Sequence, residues 1–167
     1  MGILTLDEFA QRRSGDRSPL LNMYWYCVEL PFGGDVDYVE TVNIPFPSLN
    51  MKPLFAGAKF LQYPGFLEVS AFDVQLYEDV RARSRKWATM WQERIRNPNT
   101  GTYYLPSHYK RDMKFALTDG TTRDTPILTI TLQECWPTQM SGWDLTNTDG
   151  QPLKTQVNFA TDGVLIE

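Results

Sequence analysis

The chain has 167 residues, enough for one domain with a sizeable hydrophobic core and too few for two domains of ordinary size. Its 42% apolar and 22% charged residues, with 9 Phe, 8 Tyr and 5 Trp, exclude a disordered composition. The 16 basic against 20 acidic side chains give a formal charge of -4, which leaves no electrostatic footprint for gripping phosphates and argues against tight nucleic-acid binding.

No run approaches the roughly 18 apolar residues of a membrane helix, and residues 1–18 mix charged and apolar side chains without a signal-peptide core. The expectation is a protein made in the cytosol with no membrane partner. Cys27 and Cys135 are expected as reduced, buried small hydrophobes.

In chain order, residues 5–13 place Leu6, Phe9 and Ala10 at helical spacing behind a possible Thr5 cap, and 14–19 read as a polar loop. Residues 22–30 are dense in aromatics and predict a strand at least partly covered on both faces. Gly33, Gly34 and Asp35 mark a turn, and the alternation of Val36, Tyr38, Val42 and Ile44 predicts a second strand hairpinned to the first. Residues 66–74 predict a further strand. From Leu76 to Arg96 the apolar positions Leu76, Val80, Trp87, Met90, Trp91 and Ile95 fall on one stripe, which predicts one long helix with Asp73 as its cap and Pro98 beyond its end.

Residues 112–117 and 127–134 then predict a strand pair around a turn at 118–125, with Leu128, Ile130 and Leu132 inward. Residues 153–160 predict a last strand with Leu153, Thr155, Val157 and Phe159 on one face, after a turn at 148–150. Strands, one helix, then strands is the order of a mainly β domain. The predicted architecture is an antiparallel β-sandwich or small β-barrel flanked by an α-helix.

Signatures of catalysis are missing. The lone His108 has no cysteine or carboxylate at metal-ligand spacing, and no GxSxG, Walker A, HExxH, CxxC or GxGxxG occurs. Neither an enzyme nor a cofactor is expected. The basic run holding Arg81 and Arg85 reads as a solvated helix face, or as a face meeting acidic groups on a partner.

Residues 45–64 are the informative stretch, 20 residues between strands, broken by prolines yet apolar. Leu54, Phe55, Phe60, Leu61 and Tyr63 need either a partner or a core. The stretch reads as a hairpin arm turning at Gly57 that joins neighbouring copies, or as a lid folded back on its own domain.

Trp136, Pro137 and Thr138, with Gly142-Trp143-Asp144-Leu145 and a closing strand, resemble the end of T4-like phage tail-tube proteins, and the order of elements is similar over nearly the whole chain. The resemblance implies a tail-tube-like fold shared with type VI secretion tubes; the chain reads as a single domain with an N-terminal segment at 1–20 and an extended arm at 45–64, and this arm and the loop at 97–108 depart from the family pattern. It implies self-assembly into hexameric rings stacked as a tube in the virion, assembled in the host cytoplasm. A tail sheath would stand outside, a tape-measure protein and DNA in transit inside, and a baseplate at one end. On that reading Arg81 and Arg85 face the sheath. Asp37, Thr41, Asn43 and Glu68 face the lumen, where mild negative charge lets DNA pass without sticking. The alternatives are the tube of a type VI or bacteriocin-like injection system, a single baseplate or terminator ring, and a monomeric β-rich ligand-binding domain.

Overall fold

The computed structural model describes residues 24–118, 125–145 and 150–167. The expected N-terminal helix and the centres of the turns at 118–125 and 148–150 lie outside them. The strands are β1 (Trp25–Glu29), β2 (Val39–Val42), β3 (Ser48–Ala56), β4 (Lys59–Glu68), β5 (Phe72–Tyr77), β6 (Arg111–Leu117), β7 (Leu128–Met140), β8 (Lys154–Ala160) and β9 (Gly163–Ile166). Helix α1 spans Arg83–Glu93, and a single turn, α2, spans Pro106–Tyr109.

The fold is mainly antiparallel β. One sheet runs in the order β1-β6-β7-β8-β5-β2, with β9 also on β7, and β3-β4 forms a separate ribbon. The sheet is open, with β1 and β2 at its two edges, so the barrel alternative does not hold. Strand β7 makes the large sheet possible. It pairs β6 on one side, while its other side serves β9 over Ile130–Gln133 and then β8 over Trp136–Met140. The change of partner falls at Glu134, whose φ of 55° lies in the left-handed region and whose N–H is satisfied by Asp112 Oδ1 at 2.9 Å. The ladder slips beside Pro137, where a residue without an N–H costs no bond.

The core follows from period-two alternation on three strands and period-3.6 spacing on the helix. Phe72, Val74 and Leu76 of β5, Thr155, Val157 and Phe159 of β8, and Met113 and Phe115 of β6 are all buried. Ser84, Trp87, Ala88 and Trp91 make the buried stripe of α1. The Trp91 ring lies 5.2 Å from Phe159 and 5.5 Å from both Trp87 and Phe32. Burying an indole requires an acceptor for its N–H. Trp87 Nε1 donates to Pro31 O and Trp91 Nε1 to Tyr109 O, each at 2.7 Å. At Gly34 a Cβ would stand 2.8 Å from the Trp87 ring, so only glycine lets the chain pass.

Several expectations are corrected. The helix begins at Arg83 and not near Leu76, because Phe72, Val74 and Leu76 also alternate with period two and pair with β8. Asp73 is therefore a strand residue, and Val80 is fully exposed. Helix entry is managed instead by Asp79, whose carboxylate accepts the N–H groups of Arg81 and Arg83 at 3.0 Å. The predicted strand at 66–74 is the end of β4 and the start of β5. β1 and β2 form no hairpin: β1 pairs β6 and β2 pairs β5 at opposite edges. β7 continues through Pro137 to Met140, and β9 is an additional strand.

Trp91→Ala should cost about 3–5 kcal/mol, from lost burial plus a cavity between helix and sheet. Urea unfolding followed by far-UV circular dichroism measures it, and a cost under about 1 kcal/mol would show that α1 does not close the core.

Candidate functional site

The β3-β4 ribbon turns at Gly57-Ala58, with Gly57 at φ 63°, the positive value that tight hairpin turns need at their first loop position. Its nine-residue strand β3 is about 30 Å long at 3.3 Å per residue. Of the two readings of this stretch, the hairpin is the one observed. No residue of the ribbon is buried, so it is not a lid on its own core.

Its side chains explain why it is unusual. Leu54 opposes Leu61 and, one register position on, Phe55 opposes Phe60. Successive strand residues point to opposite faces, so one face carries the leucine pair and the other the phenylalanine pair, whose rings lie 5.5 Å apart edge to face. Leu54, Phe55, Phe60, Leu61 and Tyr63 are 42 to 78% exposed. The apolar surface is larger than the sequence suggests, since Phe46, Leu49, Met51, Phe66 and Leu67 are exposed as well. Phe46, Leu49 and Met51 stand within the 45–64 stretch itself, and the signal for Phe66 and Leu67 was the apolar content continuing past Pro64. A two-stranded ribbon with no core is at best marginally stable in water.

Asp37, Thr41, Asn43 and Glu68 are all exposed. Asp37 sits in the 3-10 turn Val36–Tyr38, Thr41 on edge strand β2, Asn43 just beyond it, and Glu68 ends β4 opposite Ser48 at the base of the ribbon. The structure thus spreads them along one sheet edge and the ribbon base. Arg81 is exposed before α1. Arg85 is half-buried, with Nη1 donating to Ser141 O at 2.6 Å and its guanidinium 5.6 Å from the Trp143 ring centre. Arg83 is held by Asp79 and Asp35.

His108 stacks on Tyr104 with centroids 6.0 Å apart. Burial pushes both thiols, Cys27 and Cys135, up to about 12, so they stay protonated near neutrality. Trp136 is half-buried and meets Tyr109 edge to face, and Pro137 is buried. Among the described residues no three potential metal ligands converge.

A polar latch fastens edge strand β2. Glu40 Oε1 accepts from Lys154 Nζ at 2.6 Å and from the Tyr77 hydroxyl at 2.8 Å, linking β2, β5 and β8. The Lys154 hydrogen bond holds the Glu40 carboxyl below its ordinary range against the opposing effect of burial, with the Tyr77 bond adding to it. The folded value being depressed, this stabilisation is present above the ordinary carboxylate pKa of about 4.3 and is lost as pH falls through the folded value.

No protein-family model matches the chain, and no curated protein matches it significantly. Solved structures do. The chain is similar to a component of the PVC extracellular contractile injection system sheath-tube complex in its extended state, with TM-score 0.68, 13% identity, and 95% of this chain and 96% of that one covered. It is also similar to a chain of the anti-feeding prophage tube-terminating cap, with TM-score 0.67, 12% identity and 89% and 91% coverage. A third is a chain of the PVC sheath/tube terminator in its extended state, with TM-score 0.63, 12% identity and 89% and 96% coverage. The fold is tail-tube-like.

Glu40→Gln should lower stability at neutral pH and converge with the parent in acid. Thermal melts from pH 7 down to about 3 check this, and a gap that persists unchanged in acid would remove the latch.

Proposed function

We propose that this chain is a structural subunit of the inner tube of a contractile tail, acting by self-assembly and not by catalysis. The observation that carries the reading is a ribbon exposed and apolar on both faces, borne on a tail-tube-like fold. One apolar face can be covered by one neighbour. Two faces call for contacts on two sides, which is what a subunit meets when it has neighbours within a ring and a further ring above or below.

The ribbon also offers unpaired backbone groups along both outer edges, and strands of adjacent copies satisfy such groups by extending one sheet. Closure of this head-to-tail contact gives rings, hexameric on the resemblance, stacked as a tube. The tube would carry a tape-measure protein and then DNA, begin at a baseplate, and present Arg81 to a surrounding sheath. Its place is the virion after assembly in the host cytoplasm, or an injection particle of the kind whose components the fold matches.

A second reading, a single terminating ring, is favoured by the comparable similarity to the cap and terminator chains. Negative-stain microscopy of the purified protein separates the two, with long tubes expected and isolated rings supporting the terminator. Deleting 54–61 should abolish either assembly while the remaining domain stays folded by circular dichroism, and tubes that persist would refute the role of the ribbon.

Asp37→Lys combined with Glu68→Lys should leave tubes intact and slow DNA ejection from particles, because an attractive wall retards a polyanion. Ejection at the parental rate would count against a lumenal position for these carboxylates.

A further inference from the structure

We propose that the C-terminal end of α1 and the loop after it form a docking surface for an acidic segment of a partner protein, one bearing closely spaced carboxylates beside an apolar side chain. Two guanidiniums converge on one ring: Arg94 lies 4.3 Å and Arg111 5.2 Å from the centre of Phe32. Arg96 lies 5.8 Å from the Tyr103 ring centre. None of the three is ion-paired among the described residues.

Stacking uses the face of a guanidinium and leaves its in-plane N–H donors for a carboxylate. The Arg94 guanidinium spends no donor on the described residues. Arg111 spends Nη1 on the carbonyls of Ser107 and Lys110, at 2.8 and 2.6 Å, and keeps the rest. By contrast Arg83 and Arg85, in the basic run obvious from the sequence, are bound internally. Phe32 itself is fixed in the left-handed region at φ 56°, its ring packed on Trp91, so the platform under both arginines is rigid.

Beside this clamp lies a cavity of about 330 Å³ lined by Met90, Glu93, Arg94, Tyr104 and His108. It stands at the bottom of the range of small-molecule pockets, about 300–1,000 Å³, and suits one anchoring side chain. Leu105, next to Tyr104 in the chain, is exposed. A cationic, partly apolar spot on a chain of net charge -4 fits a short acidic segment, whereas a long polyanion also meets the repulsion of the rest of the surface. The surface excludes the β3-β4 ribbon, so it goes beyond the tube reading and does not require it.

The test is fluorescence anisotropy of a labelled peptide of repeated Leu-Glu-Glu triplets with the full chain at low salt, where screening is weakest. The peptide should bind, its Leu-Gln-Gln counterpart should not, and Arg94→Ala with Arg111→Ala should weaken binding about tenfold or more. Arg94→Lys should recover part of the affinity lost in Arg94→Ala, Glu93→Gln should strengthen binding, and Arg81→Ala should leave it unchanged. If the double variant misfolds by circular dichroism, Arg94→Ala alone carries the test, since its guanidinium makes no hydrogen bond among the described residues. Parental affinity in the arginine variants, or equal binding of both peptides, overturns the proposal. So does a thymidine oligonucleotide that binds more tightly at the same arginines, or a dimer that sediments only when they are intact. Deleting 54–61 should leave peptide binding intact, which keeps this result separate from loss of tubes.

Discussion

Two indole N–H groups set the terms for the whole molecule. Trp87 and Trp91 enter the space over the sheet only because Pro31 and Tyr109 each turn a backbone carbonyl toward them. Large apolar rings with one obligatory donor make strong but demanding core residues. Here both demands are met by segments that lead into strands, so the same contacts that bury the helix also fix the chain before β2 and the turn before β6. Phe159 of β8 lies under both rings, which ties α1 to the centre of the sheet.

Against that body with its buried core, the β3-β4 ribbon, which buries no residue, is the exception. Its leucine and phenylalanine pairs stabilise one another across the strands but bury little. The body closes on itself and the ribbon does not, and this division underlies the proposed role: a rigid block that carries an adhesive element. At the far end of α1, Arg94 and Arg111 have no carboxylate partner among the described residues, a polar counterpart to the apolar ribbon.

Strands with one buried face were legible in the sequence, because alternation such as Val157, Phe159 leaves a clear signal, whereas in β7 the expected inward Ile130 and Leu132 are buried but so is Thr131, which alternation places outward. The hairpin was legible from its prolines and Gly57. Less visible was any feature decided by distant pairing. Leu76 and Val80 fit a helical stripe as well as a strand, and only the presence of β8 alongside settles Leu76 into the sheet. The partnering of β1 with β6 and β2 with β5 spans long separations that no local pattern encodes. For the same reason the sequence pointed to Arg81 and Arg85 as the notable basic residues. Which guanidinium is left without a carboxylate depends on which acids the fold brings near.

The ribbon's lack of a core has a kinetic side. An isolated copy must order a long two-stranded element with little burial to compensate the lost chain entropy. In the proposed tube, a copy arriving at an existing ring would find a neighbouring ribbon already in place and share the cost with it. Starting a new ring would then be slow and extending an old one fast, so growth from a template would be favoured over spontaneous assembly without any additional regulatory part.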